Sequence, residues 1–220
     1  MKRIVKWCDE FLGHRVYSAT AGSNVGHNWL IADTSSAGTP TYVPVTPGRG
    51  VTLTHDNTNE VQNVCLYQGD KLCFDIDEID QIRMRVKMSQ ATMNAASSVA
   101  FGLASARNDA IDSIAEAALF RLIGASAAVL VESDDGTTDL DDKATGQTLG
   151  TTAKDFVISF VAGKADVRFF IDGQPVATDV TFDMSAYSGA LQLFLQLQKT
   201  AATSTDGVTL EAAEVTFRAE

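Results

Sequence analysis

From residue 50 onward hydrophobic and polar residues alternate in short runs with a period of two. The clearest run is GALQLFLQLQK, residues 189–199, where Leu191, Leu193, Leu195 and Leu197 share one parity and Gln192, Phe194, Gln196 and Gln198 the other. Successive side chains of a strand point to opposite faces, so this segment predicts a strand with one aliphatic face and one face of amides around a phenyl ring. QIRMRVKM divides the same way, Ile82, Met84, Val86 and Met88 inward against Arg83, Arg85 and Lys87 outward. GVTLT, VQNVCLY, DKLCFDI, SVAFGLAS, AAVLVES, DFVISFV, ADVRFFI, QPVAT and VTLEAAEVTFR bring the candidates to about ten. Many short strands at close spacing predict an all-β fold, an antiparallel sandwich or barrel. In FFIDGQPV, Asp172-Gly173 separates two such runs and predicts a type I′ hairpin, whose two central residues both need positive φ.

One segment departs from this pattern. RNDAIDSIAEAALFRLIG carries Asn108 or Asp109 as a cap, apolar residues Ile111, Ile114, Ala118 and Leu122 at spacings of three and four, and Gly124 as a stop. It predicts a short helix or helical turn followed by a strand from about residue 117, the alternative being two short strands broken at a bulge. Residues 1–49 hold Pro40, Pro44 and Pro47, both tryptophans and little sustained periodicity. They read as an N-terminal arm and loop segment that lies against its own domain or another subunit, leaving residues 50–220 as a single sandwich domain.

Composition narrows the function. The 220 residues are 45% apolar and 20% charged, as in a folded globular domain. The net charge of -11 disfavours nucleic acid and anionic membranes as partners. It is unevenly placed: five basic and three acidic residues in 1–50, twelve and twenty-five in 51–220. Cys8, Cys65 and Cys73 are odd in number and lack CxxC spacing, so buried free thiols are expected. No apolar run reaches the length of a membrane span, and MKRIVKWCDEFLG lacks the apolar centre of a signal peptide, which implies maturation in a reducing cytosol.

Candidate chemistry is sparse. In FDIDEID, Asp75, Asp77 and Asp80 share only the E-x-D-x-x-E spacing of jelly-roll β-glucanases, with Asp at both outer positions. ESDDGTTDLDD carries Glu132, Asp134, Asp135, Asp139, Asp141 and Asp142; such oxygen density suits Ca²⁺, but EF-hand order is absent and a solvated acidic hairpin loop is the plainer reading. His14, His27 and His55 have no ligand spacing, and the hydrolase, P-loop and dinucleotide signatures are missing, so no catalytic residue, metal or cofactor is assigned. Gln192, Phe194, Gln196 and Gln198 form a strip that is covered by the arm or a neighbouring subunit, because left open it exposes an apolar patch; the second reading is a sugar site, with amides on hydroxyls and the ring on a pyranose face.

The cadence ADVRFFIDGQPVAT, VTFDMSAYSGALQLFLQLQK and VTLEAAEVTFRAE resembles the last strands of a concanavalin-like or laminin-G-like jelly roll. Together with ADTSSAGTPTYVPVTPGRGVTLTHDNTNEVQNVCLY it is similar to capsid decoration (cement) proteins of tailed bacteriophages, over about residues 30–220. The resemblance implies a non-enzymatic protein of the virion's capsid surface, assembled in the host cytoplasm, which binds the major capsid protein and bridges capsomers as a homo-oligomer, a trimer being favoured. Lys2, Arg3, Lys6, Trp7, Phe11, Trp29 and Tyr42 are then the expected shell contacts. The alternative is a lectin-like carbohydrate-binding module of a phage tail or fibre using the Phe194 strip. A third reading is a glycoside hydrolase using Asp75 and Asp80.

Overall fold

The computed structural model describes residues 5–11, 24–26, 29–45, 48–71 and 73–218. In chain order its strands are β1 (Val5–Asp9), β2 (Asn24–Gly26), β3 (Trp29–Asp33), β4 (Thr41–Pro44), β5 (Val51–Thr54), β6 (Glu60–Tyr67), β7 (Phe74–Asp75), β8 (Ile79–Met88), β9 (Ser97–Ala104), β10 (Glu116–Ile123), β11 (Ala128–Asp135), β12 (Asp139–Thr148), β13 (Lys154–Ser159), β14 (Arg168–Ile171), β15 (Gln174–Val176), β16 (Ala190–Ala202) and β17 (Gly207–Phe217). Single 3₁₀ turns lie at Ile111–Ser113 and Lys164–Asp166, and there is no α-helix among the described residues. The smaller sheet runs β15-β14-β13-β8-β17-β5-β4, with β1 also on β17; the larger runs β12-β11-β10-β9-β16-β6-β3-β2, with β7 on β16. Stacked face to face, they form the antiparallel β-sandwich that the alternation predicts.

Parity decides which side of each strand enters the core. Ile82, Met84, Val86 and Met88 face inward from β8, and Leu191, Leu193, Leu195 and Leu197 meet them from β16, all at most 2% exposed. Between the sheets Phe101, Phe120, Phe156, Phe169 and Phe182 form a chain of ring contacts with centroids 4.8–5.5 Å apart, mostly edge to face. A fully buried side chain of this size stabilises by about 1.5–3 kcal/mol relative to exposure, so this chain of rings is a principal source of stability. The ambiguous segment gives a helical turn at residues 111–113 and a strand from Glu116, close to the expected boundary. Pairing with β9 and β11 fixes the extended conformation, and Ala118, Phe120 and Leu122 then alternate into the core despite their helical spacing. The β14–β15 hairpin has φ of 49° at Asp172 and 77° at Gly173, as its turn type requires.

The separation of residues 1–49 as an arm needs correction. Their described portions place β1 and β4 in the smaller sheet and β2 and β3 in the larger one. Trp29 is fully buried and Phe11 is 4% exposed; Trp7, half-buried, packs with Trp29 and Phe74 at centroid distances of 6.0 and 5.8 Å. Tyr42 packs against the same core, and Lys6 is ion-paired with Glu214 at 2.8 Å. Trp7, Phe11, Trp29 and Tyr42 are therefore committed to their own domain rather than held out for a shell, while Lys2 and Arg3 lie outside the described residues. Strands of three to five residues broken by glycine and proline are too short to show a period, and Pro44 sits in the edge strand β4, where a missing N–H costs least. The acidic run 132–142 spans a hairpin, its turn at residues 136–138 and its arms in β11 and the ten-residue edge strand β12. Of the three thiols expected to be buried only Cys65 is, Cys8 and Cys73 being exposed.

Candidate ligand-binding surfaces

The amide face of β16 belongs to the outward side of the larger sheet. Strand register sets Tyr67, Phe194, Gly102, Leu119 and Glu132 in one row across five strands, and Cys65, Gln196, Ala100, Arg121 and Leu130 in the next. Strand β9 contributes Ser98, Ala100, Gly102 and Ala104 to this side, all small, which leaves a trough along the middle of the sheet. The β9–β10 loop, residues 105–115, folds over it and sets Ile111 and Ile114 among Cys65, Ala100, Ala104, Ala117, Leu119 and Phe194. Gln192, Phe194 and Gln196 are fully buried beneath and Gln198 is half-buried. The cover is thus the chain's own loop, not the arm or a second subunit, and in this conformation Phe194 offers no open ring face to a sugar.

Gln192 is satisfied locally: its Oε1 accepts from the backbone N–H groups of Gln68 and Asp70, and its Nε2 donates to Asp70 Oδ1 at 2.6 Å. Asp109 of the loop accepts from Thr34 Oγ1 at 2.7 Å and Asn63 Nδ2 at 2.9 Å, and pairs with Arg107. Arg121 joins three elements, with Glu132 at 2.5 Å, Asp112 of the loop at 2.6 Å and Asp142 at 3.4 Å. Burial pushes the Glu132 carboxyl up to about 7 against the pull of that guanidinium. Beside these paired groups, Asn63 Oδ1, Gln196 Oε1 and Arg121 Nε are buried with no hydrogen-bond partner among the described residues.

The acids singled out from sequence are largely spent on turns. Asp134 Oδ1 accepts from the Gly136 N–H; Asp135 accepts from Thr137 and Thr138 through Oδ1 and from Ala186 through Oδ2. Burial and neighbouring acids, including Asp141, hold Asp134 and Asp139 above the ordinary carboxylate range. No group of three His, Cys, Asp or Glu among the described residues is arranged to hold a metal ion. Asp75 ends β7, Asp77 lies in the turn and Asp80 is the second residue of β8: Asp75 accepts from the Asp77 N–H, Asp77 is 2.9 Å from Lys164 and Asp80 is 3.6 Å from Arg218. The bulged strand that would set two of them on one face is absent, because β7 stops at Asp75 and β8 starts at Ile79.

A cleft of about 410 Å³ opens at the β14–β15 end of the smaller sheet, bounded by the segment 177–182, which returns to bond Val167 N–H to Phe182 O at 2.9 Å. Its buried lining includes Phe169, Val176 and Phe182; Asp166, Arg168, Phe170 and Thr181 are more open. Arg168 donates through Nε and Nη2 to a single oxygen, Asp166 Oδ2, at 3.0 and 2.5 Å. Asp166 Oδ1 and Arg168 Nη1 are left without protein partners among the described residues. Sequence reasoning missed this cleft, although Asp166, Arg168 and Phe170 are spaced two apart in ADVRFFI, the acid in the turn that leads into β14 and the base and ring on one side of that strand.

No family model and no curated protein matches the sequence. Solved structures do match in fold. The β-glucanase of Bacillus licheniformis aligns with a TM-score of 0.63 at 10% identity, over 97% of this chain and 98% of that one. The carbohydrate recognition domain of Emp47p aligns at 0.54 and 11% identity over 90% and 92%, and a protein of unknown function from Shewanella oneidensis MR-1 at 0.59 and 11% over 100% and 88%. The chain has a concanavalin-like jelly-roll fold. At these identities the likeness is one of fold alone.

Proposed function

We propose that this chain is a non-catalytic carbohydrate-binding module and that the sugar docks in the cleft beside β14. One observation carries the reading: Asp166 and Arg168 present an unused acceptor and an unused donor next to each other, beside the half-buried ring of Phe170. A vicinal diol supplies the complement, one hydroxyl donating to Asp166 Oδ1 and its neighbour accepting from Arg168 Nη1, while the C–H face of the pyranose lies on the ring. The Arg168–Asp166 pair is exposed, so both side chains stand within reach of a ligand at the mouth of the cleft. Structures of the same fold include a carbohydrate recognition domain and a glucanase, which agrees with this class of ligand. The break between β7 and β8, which puts Asp75 and Asp80 on separate strands, favours binding over hydrolysis.

The capsid-decoration reading, with the major capsid protein as partner and a trimer on the virion surface, rests on the sequence resemblance. Of its proposed contacts Trp29 and Phe11 are core residues, while Lys6 is exposed and Trp7 and Tyr42 are half-buried.

A glycan array probed with the whole chain, followed by titration calorimetry on any hit, tests the proposal. Phe170→Ala and Asp166→Asn should each weaken binding at least about tenfold while leaving the melting temperature nearly unchanged. An array without signal, or affinity unchanged in both variants, would overturn it.

A further inference from the structure

We infer that residues 105–115 are a lid over a second binding surface, on the outward side of the larger sheet, which takes a neutral polyhydroxylated chain and is latched by Arg121. This inference is independent of the cleft.

The loop is an insertion in a hairpin that closes without it. Ala104 pairs with Ala117, and the Ser105 N–H donates to Glu116 O at 2.9 Å, so the strands already meet where the loop departs. Lifting residues 106–115 breaks no rung of the sheet. The contacts that hold the lid are two isoleucine side chains in the trough and a set of polar ties at its rim. Asp112 and Asp109, which make the ties to Arg121, Thr34 and Asn63, have side chains 75% and 58% exposed. The tie to Arg121 joins an exposed carboxylate to a guanidinium only 6% exposed, and the ties of Asp109 to Thr34 and Asn63 are hydrogen bonds at the solvent edge.

What lies beneath explains why opening would be useful. Gln196 is fully buried and Asn63 is 4% exposed, yet the acceptor oxygen of each amide has no partner; Arg121, 5% exposed, has an unbonded Nε donor. The donor side of Gln196 is served only by contacts of 3.4 Å to Asp109 O and Gln198 Oε1. Buried polar atoms are nearly always bonded, so three unbonded ones under a single loop mark hydrogen-bonding capacity that the closed state does not use. With the lid raised, Gln196 and Arg121 stand in one row on either side of Ala100, next to the row of Phe194 and Gly102, and Asn63 stands opposite Gln198 in the row beyond. Hydroxyl groups, which both donate and accept, fit this set, and the ring suits the apolar face of a sugar residue. Glu132, Asp112 and Asp142 outnumber Arg121 at one end of the trough, which turns anionic chains away.

The test replaces residues 106–115 by Asn-Gly, a two-residue turn that the flanking register accepts. The lidless chain and the intact chain are assayed on the same panel of neutral oligosaccharides. The expected result is at least a tenfold gain in affinity in the lidless chain, lost on adding Gln196→Leu and retained on adding Phe170→Ala, which separates this surface from the cleft. A lidless chain that melts cooperatively and binds no member of the panel, or whose binding survives Gln196→Leu, overturns the inference. Where the lidless chain does not fold, hydrogen exchange in the intact protein decides. Amides of 105–115 that exchange faster than those of β16, and faster still in Asp112→Asn, support a lid; exchange as slow as that of β16 overturns it.

Discussion

His55 follows β5 directly and is 2% exposed, with neither ring nitrogen bonded among the described residues. Lys199 from β16, Asp206 from the β16–β17 turn and the adjacent Asp56 are the charged groups around it, and burial with the nearby Lys199 ammonium lowers its pKa from 6.5 to about 4. Between those two values the unfolded chain holds a proton that the folded chain refuses. Stability from this group is therefore complete above pH 6.5 and is lost as pH falls through 4. At about 1.4 kcal/mol per pH unit the loss comes to about 3 kcal/mol. Glu132, raised from 4.5 to about 7, works in the opposite direction, since its protonated form is favoured by folding and stability declines as pH rises across that interval. The wild-type profile mixes the two, so the informative quantity is a double difference. Urea unfolding followed by tryptophan fluorescence, above and below the His55 window, should show that His55→Leu reduces the acid-induced loss of stability by about 3 kcal/mol relative to wild type. An equal loss in both proteins would refute the assignment, because it would mean that the imidazole is protonated in the folded state at no cost.

Two further substitutions test packing beneath the same surfaces. The Lys199 ammonium, 1% exposed, donates to the carbonyls of Asp56, Thr58 and Ser204 at 2.7, 2.9 and 3.3 Å, tying two loops to β16. Lys199→Met strands these carbonyls while removing a buried charge, for a net loss of about 2–4 kcal/mol. Calorimetry should show a fall of roughly 5–15 °C in the midpoint, and an unchanged midpoint would count against the three bonds. Gly102 has φ of 148°, and a Cβ there would lie 2.3 Å from the Ala118 carbonyl oxygen, a backbone atom that cannot step aside. Gly102→Ala should destabilise by at least about 3 kcal/mol, read by the same melt; a wild-type midpoint would show that β9 can shift.

Alternation made the sandwich legible where strands were long enough to express it. Residues 82–88 alternate in burial as their letters do, residues 191–197 send leucines and amides to opposite faces although both faces are buried, and Asp172-Gly173 sets one turn locally. The same reading failed in residues 1–49, where β3 and β4 contribute five and four residues and the burial of Trp29 depends on a partner strand, β6, more than thirty positions away. It also failed at the amide face, for a different reason. Parity correctly sends Gln192, Phe194 and Gln196 away from the leucines, but whether an outward face meets water depends on what folds across it. The sequence signal for the cover was present in Ala100, Gly102, Ala104 and Ala117, small residues facing the same trough; it became readable only when register set them side by side. Asp166, Arg168 and Phe170 were visible as a parity set, but the cleft that makes them useful is formed by residues 177–182, whose return path no local pattern specifies.

The charge distribution bears on which sugars the two surfaces accept. Residues after 50 carry more negative charge than the whole chain's net of -11, the first fifty being net positive, so at ionic strengths near physiological, where fields decay over about 8 Å, an approaching anionic polysaccharide meets repulsion over much of the sandwich. Within the cleft the Asp166–Arg168 pair sums to zero, and in the trough three carboxylates face one guanidinium. Neither surface contains an unopposed cation to repay the desolvation of a uronate or sulfate group. Hydrogen bonding to hydroxyls combined with contact to a ring is therefore the recognition chemistry that both surfaces favour, and it is chemistry suited to neutral glycans. The aromatic residues are placed accordingly, Phe170 at an open edge where a chain end can reach it and Phe194 at the centre of a groove that suits the interior of a chain once the loop has moved.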